Sequence, residues 1–151
     1  MILSEPDLVR WGERIGREVL PPLVVALRGP LGAGKSVLAR AVARGAGVRG
    51  PLPSPTFNLV FRYRTPTSEV VHLDLFRIRD PDELPELGWD ELGAPGEIVL
   101  VEWPERAGDR LPEHRWEVGL SMPKGVAPLR GVTVRKVGDP PALPPLPVEP
   151  P

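Results

Sequence analysis

Gly29-Pro30-Leu31-Gly32-Ala33-Gly34-Lys35-Ser36 decides the reading of this chain. The stretch fits Gly, four residues, Gly-Lys-Ser, the phosphate-binding P-loop. Its glycines let the backbone turn N–H groups toward phosphate oxygens. Lys35 supplies a point charge for the outer phosphates, and the Ser36 hydroxyl is a magnesium ligand. Val37 to Arg44 reads as a helix, so its positive N-terminal end faces the same phosphates. Just upstream, Leu23-Val24-Val25-Ala26-Leu27 has strand character. Strand, glycine loop and helix in that order point to a bound nucleotide.

The 151 residues suffice for one domain with its own core. A net charge of -1 and a pI of about 6.1 give no global electrostatic case for nucleic-acid binding. With no cysteine, disulfides and thiolate metal sites are excluded. The N-terminal residues lack a charged-then-apolar leader pattern, and no apolar run approaches membrane-spanning length. The expectation is a cytoplasmic protein without membrane contact.

Around the glycine loop the chain reads as alternating α and β elements. Ser4 with Asp7 resembles a capping box, and Leu8, Trp11, Ile15 and Val19 recur at helical spacing. This predicts an amphipathic helix from Glu5 to about Leu20, stopped by Pro21-Pro22, with Trp11 in the core. Gly45 and Gly47 are expected to end the helix after the loop. Phe57 to Tyr63 and Val70 to Leu75 predict a hairpin, and Asp80 to Glu83 a helix start. Ile98 to Val101 is an apolar run suited to a buried parallel strand. Trp116 to Leu120 and Val132 to Val134 predict a last strand pair. From Gly138 the character changes. Prolines at 140, 141, 144, 145, 147, 150 and 151 exclude helix and central strand. Residues 1–137 are therefore expected to form the folded domain, and 138–151 an extended or disordered, solvated tail.

A hydrolytic P-loop protein also needs a carboxylate at the tip of a neighbouring strand to hold magnesium. Glu102, directly after Ile98-Val99-Leu100-Val101, is placed for that role. In Val71 to Arg77, His72, Asp74 and Phe76 alternate onto one face, and a His and an Asp together fit poorly in an apolar core. They suit a site in which Asp74 positions a water and His72 orients it. Zinc is disfavoured, because the second histidine, His114, sits in a polar loop. Ser54-Pro55-Thr56-Phe57 follows the P-loop helix, where switch loops lie, and Thr56 is a candidate contact for the γ-phosphate or its metal.

Leu31-Gly32-Ala33-Gly34-Lys35-Ser36, Ser54-Pro55-Thr56-Phe57, His72-Leu73-Asp74-Leu75-Phe76-Arg77 and Glu102-Trp103-Pro104-Glu105-Arg106 together resemble the TsaE (YjeE) family. The last three in that order are the specific part, and the resemblance runs from about Ser4 to Val134. It implies an α/β, P-loop NTPase-like fold with a mixed, mostly parallel sheet flanked by helices. It also implies an ATPase of tRNA threonylcarbamoyladenosine biosynthesis, partnered with TsaD and TsaB and touching tRNA only indirectly. By position, Leu31, Gly32, Ala33, Gly34 and Lys35 would hold the phosphates of ATP, with Val37 close behind. Ser36 and Glu102 would hold Mg2+, and Asp74 would match the acid near the γ-phosphate. Glu5 corresponds to a position near the adenine, and Glu105 and Trp103 follow the magnesium acid at the nucleotide or partner border. Lys35, Asp74 and Glu102 are the expected catalytic residues. Ser36 stands where the family usually has Thr, which keeps the hydroxyl. The family's late Gly-Arg contact is not cleanly present, which leaves Lys124 and Arg130 as candidates. Arg77 and Arg106 are candidate in-chain arginine fingers.

Two other functions remain compatible with the residues. A small-molecule kinase needs an acceptor pocket and usually an arginine-rich lid, and no such lid stands out between Asp74 and Glu102. A nucleotide-gated binding module would use Thr56 and the surface after Trp103 without appreciable catalysis.

Overall fold

A computed structural model describes residues 1–53, 59–125 and 128–147. One seven-stranded sheet organises the chain, in the order β1-β7-β6-β2-β5-β4-β3. The strands are β1 (Ile2–Leu3), β2 (Leu23–Arg28), β3 (Val60–Arg64), β4 (Glu69–Asp74), β5 (Glu97–Glu102), β6 (Arg115–Ser121) and β7 (Arg130–Val137). The centre, β6-β2-β5-β4, is parallel, while β1, β7 and β3 pair antiparallel with their neighbours. This is the expected mixed, mostly parallel α/β sheet. The predicted hairpin is β3–β4 and the predicted last pair is β6–β7.

Helix α1 (Glu5–Glu18) starts where the sequence places it. Ser4 caps it by accepting the Asp7 N–H at 3.2 Å, and Pro6 occupies the first turn. Helix α2 (Lys35–Ala46) ends on Gly47, whose φ of 106° suits a glycine. Gly45, expected to stop α2, instead lies inside it. A Cβ on Gly45 would lie 2.0 Å from the Glu13 carbonyl oxygen, and one on Gly16 would lie 2.0 Å from that of Val42. These two glycines let α1 and α2 approach backbone to backbone. Both helices pack on one face of the sheet, over Leu23, Val25, Leu27, Ile98, Leu100 and Val118. Each fully buried Leu or Ile there contributes about 1.5–3 kcal/mol. The opposite face is covered by short 3-10 segments, Pro81–Leu87, Trp89–Glu91 and Pro104–Ala107, around Leu73, Leu75, Leu84 and Trp89. The first of these opens with the Asp80/Glu83 capping box.

The segment after β7 is extended, as its prolines require, and is partly covered: Asp139, Ala142 and Pro145 are exposed, while the residues between them are not. Leu143 and Leu146 pack against the core beneath the helices, and Pro140 is buried. Among the described residues, no helix is long and apolar enough to cross a membrane.

Candidate functional site

Three parallel strands end level. Leu27 pairs with Glu102, and Glu102 pairs with Asp74, so both acids emerge at one edge of the sheet. The chain leaves β2 there into the glycine loop and re-enters as α2. Gly29 has φ 147°, and a Cβ on it would meet the Leu120 carbonyl oxygen at 2.4 Å, so the loop's first position admits no side chain. Gly34 caps α2 with φ 108°. No acidic residue lies in the first turn of α2. Its positive end is therefore left for an external anion.

Lys35 is buried, and its Nζ donates to the carbonyls of Gly29 and, at 2.9 Å, Pro30. Burial pushes its pKa down, against the pull of Glu102, Glu105 and Asp74. The Lys35 Nζ also lies 4.2 Å from the centre of the Trp103 ring. Trp103 adopts a left-handed φ of 56°, a costly conformation for an indole residue. Its ring contacts Phe76 at 4.9 Å. Turning the Trp103 backbone brings the ring over the loop lysine.

Glu102 is almost wholly buried. Its carboxylate oxygens lie 2.9 and 3.0 Å from Ser36 Oγ, which has one proton to donate, and 2.6 Å from His72 Nε2. His72, expected to orient a water beside Asp74, bonds Glu102. Its strand face is buried, with His72 only 4% exposed. Asp74 is half-buried. Its Oδ1 accepts the Phe76 N–H at 2.9 Å, which leaves Oδ2 for another donor. Burial raises the Asp74 pKa, aided by neighbouring Glu102, while the Phe76 N–H lowers it.

These groups border a cavity of about 480 Å³, a size usual for small-molecule sites. Its wall brings together most of the residues expected from sequence. Leu31, Gly32, Gly34, Lys35, Ser36 and Val37 come from the loop and α2, with Glu5 from α1 and Asp74 and Glu102 from strand tips. Ala33 is buried in the core behind the loop. Glu105 is placed off the wall, in an ion pair with Arg28 at 3.2 Å. Of the two late basic candidates Arg130 borders the cavity, and of the two candidate fingers Arg77 does. Arg106 lies over the Phe76 ring at 5.9 Å. Thr56 falls outside the described residues. Leu8, from the apolar stripe of α1, also lines the cavity, a place the sequence analysis did not assign it. Its spacing of three from Glu5 on α1 is the signal that would have placed it there.

Ser36 and Glu102 are the donors a magnesium ion takes beside a phosphate: one hydroxyl and one carboxylate, with the remaining positions left to phosphate and water. Among the described residues no cluster of three or more acidic, histidine or cysteine ligands exists to hold a metal by protein alone.

The family model for the threonylcarbamoyl adenosine biosynthesis protein TsaE matches residues 2–126. The tRNA threonylcarbamoyladenosine biosynthesis protein TsaE of Mycobacterium tuberculosis is 41% identical over 122 residues, covering 76% of this chain and 73% of its own. The Rickettsia typhi protein of the same name is 36% identical over 120 residues, covering 79% and 83%. The crystal structure of Bacillus subtilis YdiB superposes with a TM-score of 0.71 at 22% identity, covering 91% of this chain and 84% of that one, which supports the fold. The glycine loop, the strand-tip acids and every described cavity-lining residue but Arg130 lie within the matched residues, and the chain belongs to the TsaE family.

Proposed function

We propose that this protein binds Mg-ATP in the cavity beside Lys35 and hydrolyses it in support of tRNA threonylcarbamoyladenosine formation, as an accessory subunit of TsaD and TsaB. The observation that carries this reading is the Ser36–Glu102 pair, a hydroxyl at the first turn of α2 held against a carboxylate at the tip of β5. The names of the relatives supply the pathway.

In this reading the N–H groups of Leu31 to Gly34 and the start of α2 hold the phosphates. Lys35 exchanges its two carbonyl acceptors for phosphate oxygens. Magnesium, held by Ser36 and Glu102, supplies charge neutralisation at the phosphates. His72 keeps the Glu102 carboxylate oriented toward Ser36. Asp74, with Oδ2 available, orients the attacking water, and its raised pKa makes it a better acceptor than a solvated aspartate. Glu5 and Leu8 face the base and ribose, because a carboxylate there would repel phosphate. Thr56 contacts the γ-phosphate or its metal, and Glu105 lies at the partner border with Trp103. The ATPase unit is residues 1–137, with 138–151 as an appended segment, and the working location is the cytoplasm.

Such reactions are catalysed mainly by positioning and charge stabilisation, and an arginine supplied by a partner contributes about 10³–10⁵ in rate. Slow turnover alone and faster turnover with TsaD–TsaB follow. The test is phosphate release from Mg-ATP by the protein alone, by TsaD–TsaB alone and by the mixture. A mixture no faster than the sum of its parts contradicts the reading, and phosphate transfer to a small-molecule acceptor would replace it with a kinase.

A further inference from the structure

The proline-rich segment after β7 lies outside the residues matched by the family model, yet it is fastened at several points. Gly138 turns the corner with φ 69°, where a Cβ would meet the Glu113 carbonyl oxygen at 2.5 Å. The Asp139 N–H then donates to His114 Nδ1 at 2.9 Å. The Trp116 indole N–H, from β6, donates to the Pro141 carbonyl at 2.7 Å. The Trp11 indole N–H, from α1, donates to the Pro144 carbonyl at 3.0 Å. Leu143, between the last two anchors, and Leu146, just beyond them, pack partly buried against the core. Proline suits this path. It has no N–H to leave unsatisfied on an apolar surface, its carbonyls remain acceptors, and its extended form is pre-organised.

Trp11 is 1% exposed, so its indole N–H needs an acceptor within the protein. The strap supplies it. One turn before Trp11 stands Leu8, and three residues before that Glu5, and both border the cavity.

We propose that residues 139–147 are a clamp that holds α1 in place and thereby sets the base-side wall of the nucleotide cavity, with Trp11 as the positioning residue. This rests on the nucleotide reading above. The clamp acts through α1 and not through the phosphate loop, whose own glycines and β2 fix its shape. Its loosening therefore weakens recognition of the base and ribose while leaving phosphate binding largely intact.

The experiment uses the full chain, with titration calorimetry in magnesium against two probes, ATP and inorganic tripolyphosphate. Two variants are compared with wild type. Trp11→Phe keeps the buried ring and deletes only the N–H, and Leu143→Ser/Leu146→Ser releases the strap's apolar anchors. Loss of one buried hydrogen bond predicts an ATP dissociation constant about three- to tenfold higher in Trp11→Phe, with tripolyphosphate changed by at most about twofold. The double variant shifts ATP at least as far. Unchanged ATP affinity in Trp11→Phe overturns the clamp, and so does an equal loss for both probes, which would mark a general folding role. A wild-type chain that binds neither probe sinks the nucleotide reading itself and the clamp with it. A wild type that binds ATP alongside unaltered variants sinks only the clamp.

Discussion

Two buried glutamates flank β2 on opposite faces of the sheet. Glu102, at the tip of β5, is 3% exposed, and Glu117, in β6, is 5% exposed. Their partners differ in kind. Glu117 is surrounded by guanidinium groups, with Arg28 at 2.9 Å, Arg115 at 3.3 Å and Arg135 bonded to the other oxygen. Burial alone would raise its pKa, but the bonds from Arg135 and Arg28 outweigh that and hold it at about 2. Glu102 has a serine hydroxyl and a histidine, and no arginine. A carboxylate saturated by cations has nothing left to give a metal. One held by a hydroxyl and an imidazole is oriented but still has its charge to offer. Burial of an acid is therefore a poor guide to role, and the charge of its neighbours is a better one.

The comparison can be broken by exchanging charge for amide at each site. Glu102→Gln should cost the most. With the charge proposed to hold the metal gone, ATP turnover in the TsaD–TsaB mixture should fall by about 10²–10³ while the thermal midpoint barely moves, because the amide retains a Ser36 partner. Retained turnover would remove Glu102 from the site. Asp74→Asn should come next, lowering kcat by about 10²-fold. On the proposed mechanism, protonation of Asp74 in the parent protein would remove the water's acceptor. Its raised pKa thus places the acid limb of the kcat profile above the ordinary aspartate value of 3.8. That limb should vanish from the residual activity of Asp74→Asn, and a limb that persists unchanged would assign it elsewhere.

Glu117→Gln should have the smallest effect and of a different kind. Turnover should stay within about twofold, while stability falls by about 1–2 kcal/mol, an amount limited because Arg135 and Arg28 are well exposed to solvent. The sign follows from the depressed pKa. The carboxylate's contribution is complete above its unfolded value near 4.5 and is lost as pH falls through about 2. Denaturant titrations of parent and Glu117→Gln should therefore differ at pH 7 and converge toward pH 2. A constant gap across that window would mean that the arginines stabilise the fold by packing rather than by pairing.

Much of this site was legible because its parts are local. The Gly-x4-Gly-Lys-Ser spacing, the apolar run ending in Glu102 and the alternation that puts His72 and Asp74 on one face each lie within one element. What escaped the sequence were relations between distant elements. Gly45 reads as a helix stop because glycine often is one, and only the Glu13 backbone across the α1–α2 contact explains it. His72 was paired with its strand neighbour Asp74, whereas β5 brings Glu102 to 2.6 Å. The prolines after Gly138 excluded regular structure correctly, but composition carries no sign of two indole N–H groups awaiting carbonyls on α1 and β6. Glu105 follows Glu102 closely in sequence, and only after the turn at Trp103 does its carboxylate meet Arg28, on β2.

The glycine contact between α1 and α2 also bears on the order in which the molecule assembles. Those helices and β2 are consecutive in the chain, so the strand, the phosphate loop and the close helix pair need only short loop closures. The opposite holds for β1, whose only strand partner among the described residues is β7, with Ile2 beside Gly131. Pairing of β1 must therefore wait until β7 is available. The unit of β2, glycine loop and α2 can be shaped before the sheet is complete, and the seam that joins the two ends of the described chain closes late. Pulsed hydrogen exchange during refolding should protect α2 amides before the Val132 N–H, which bonds the Met1 carbonyl across that seam.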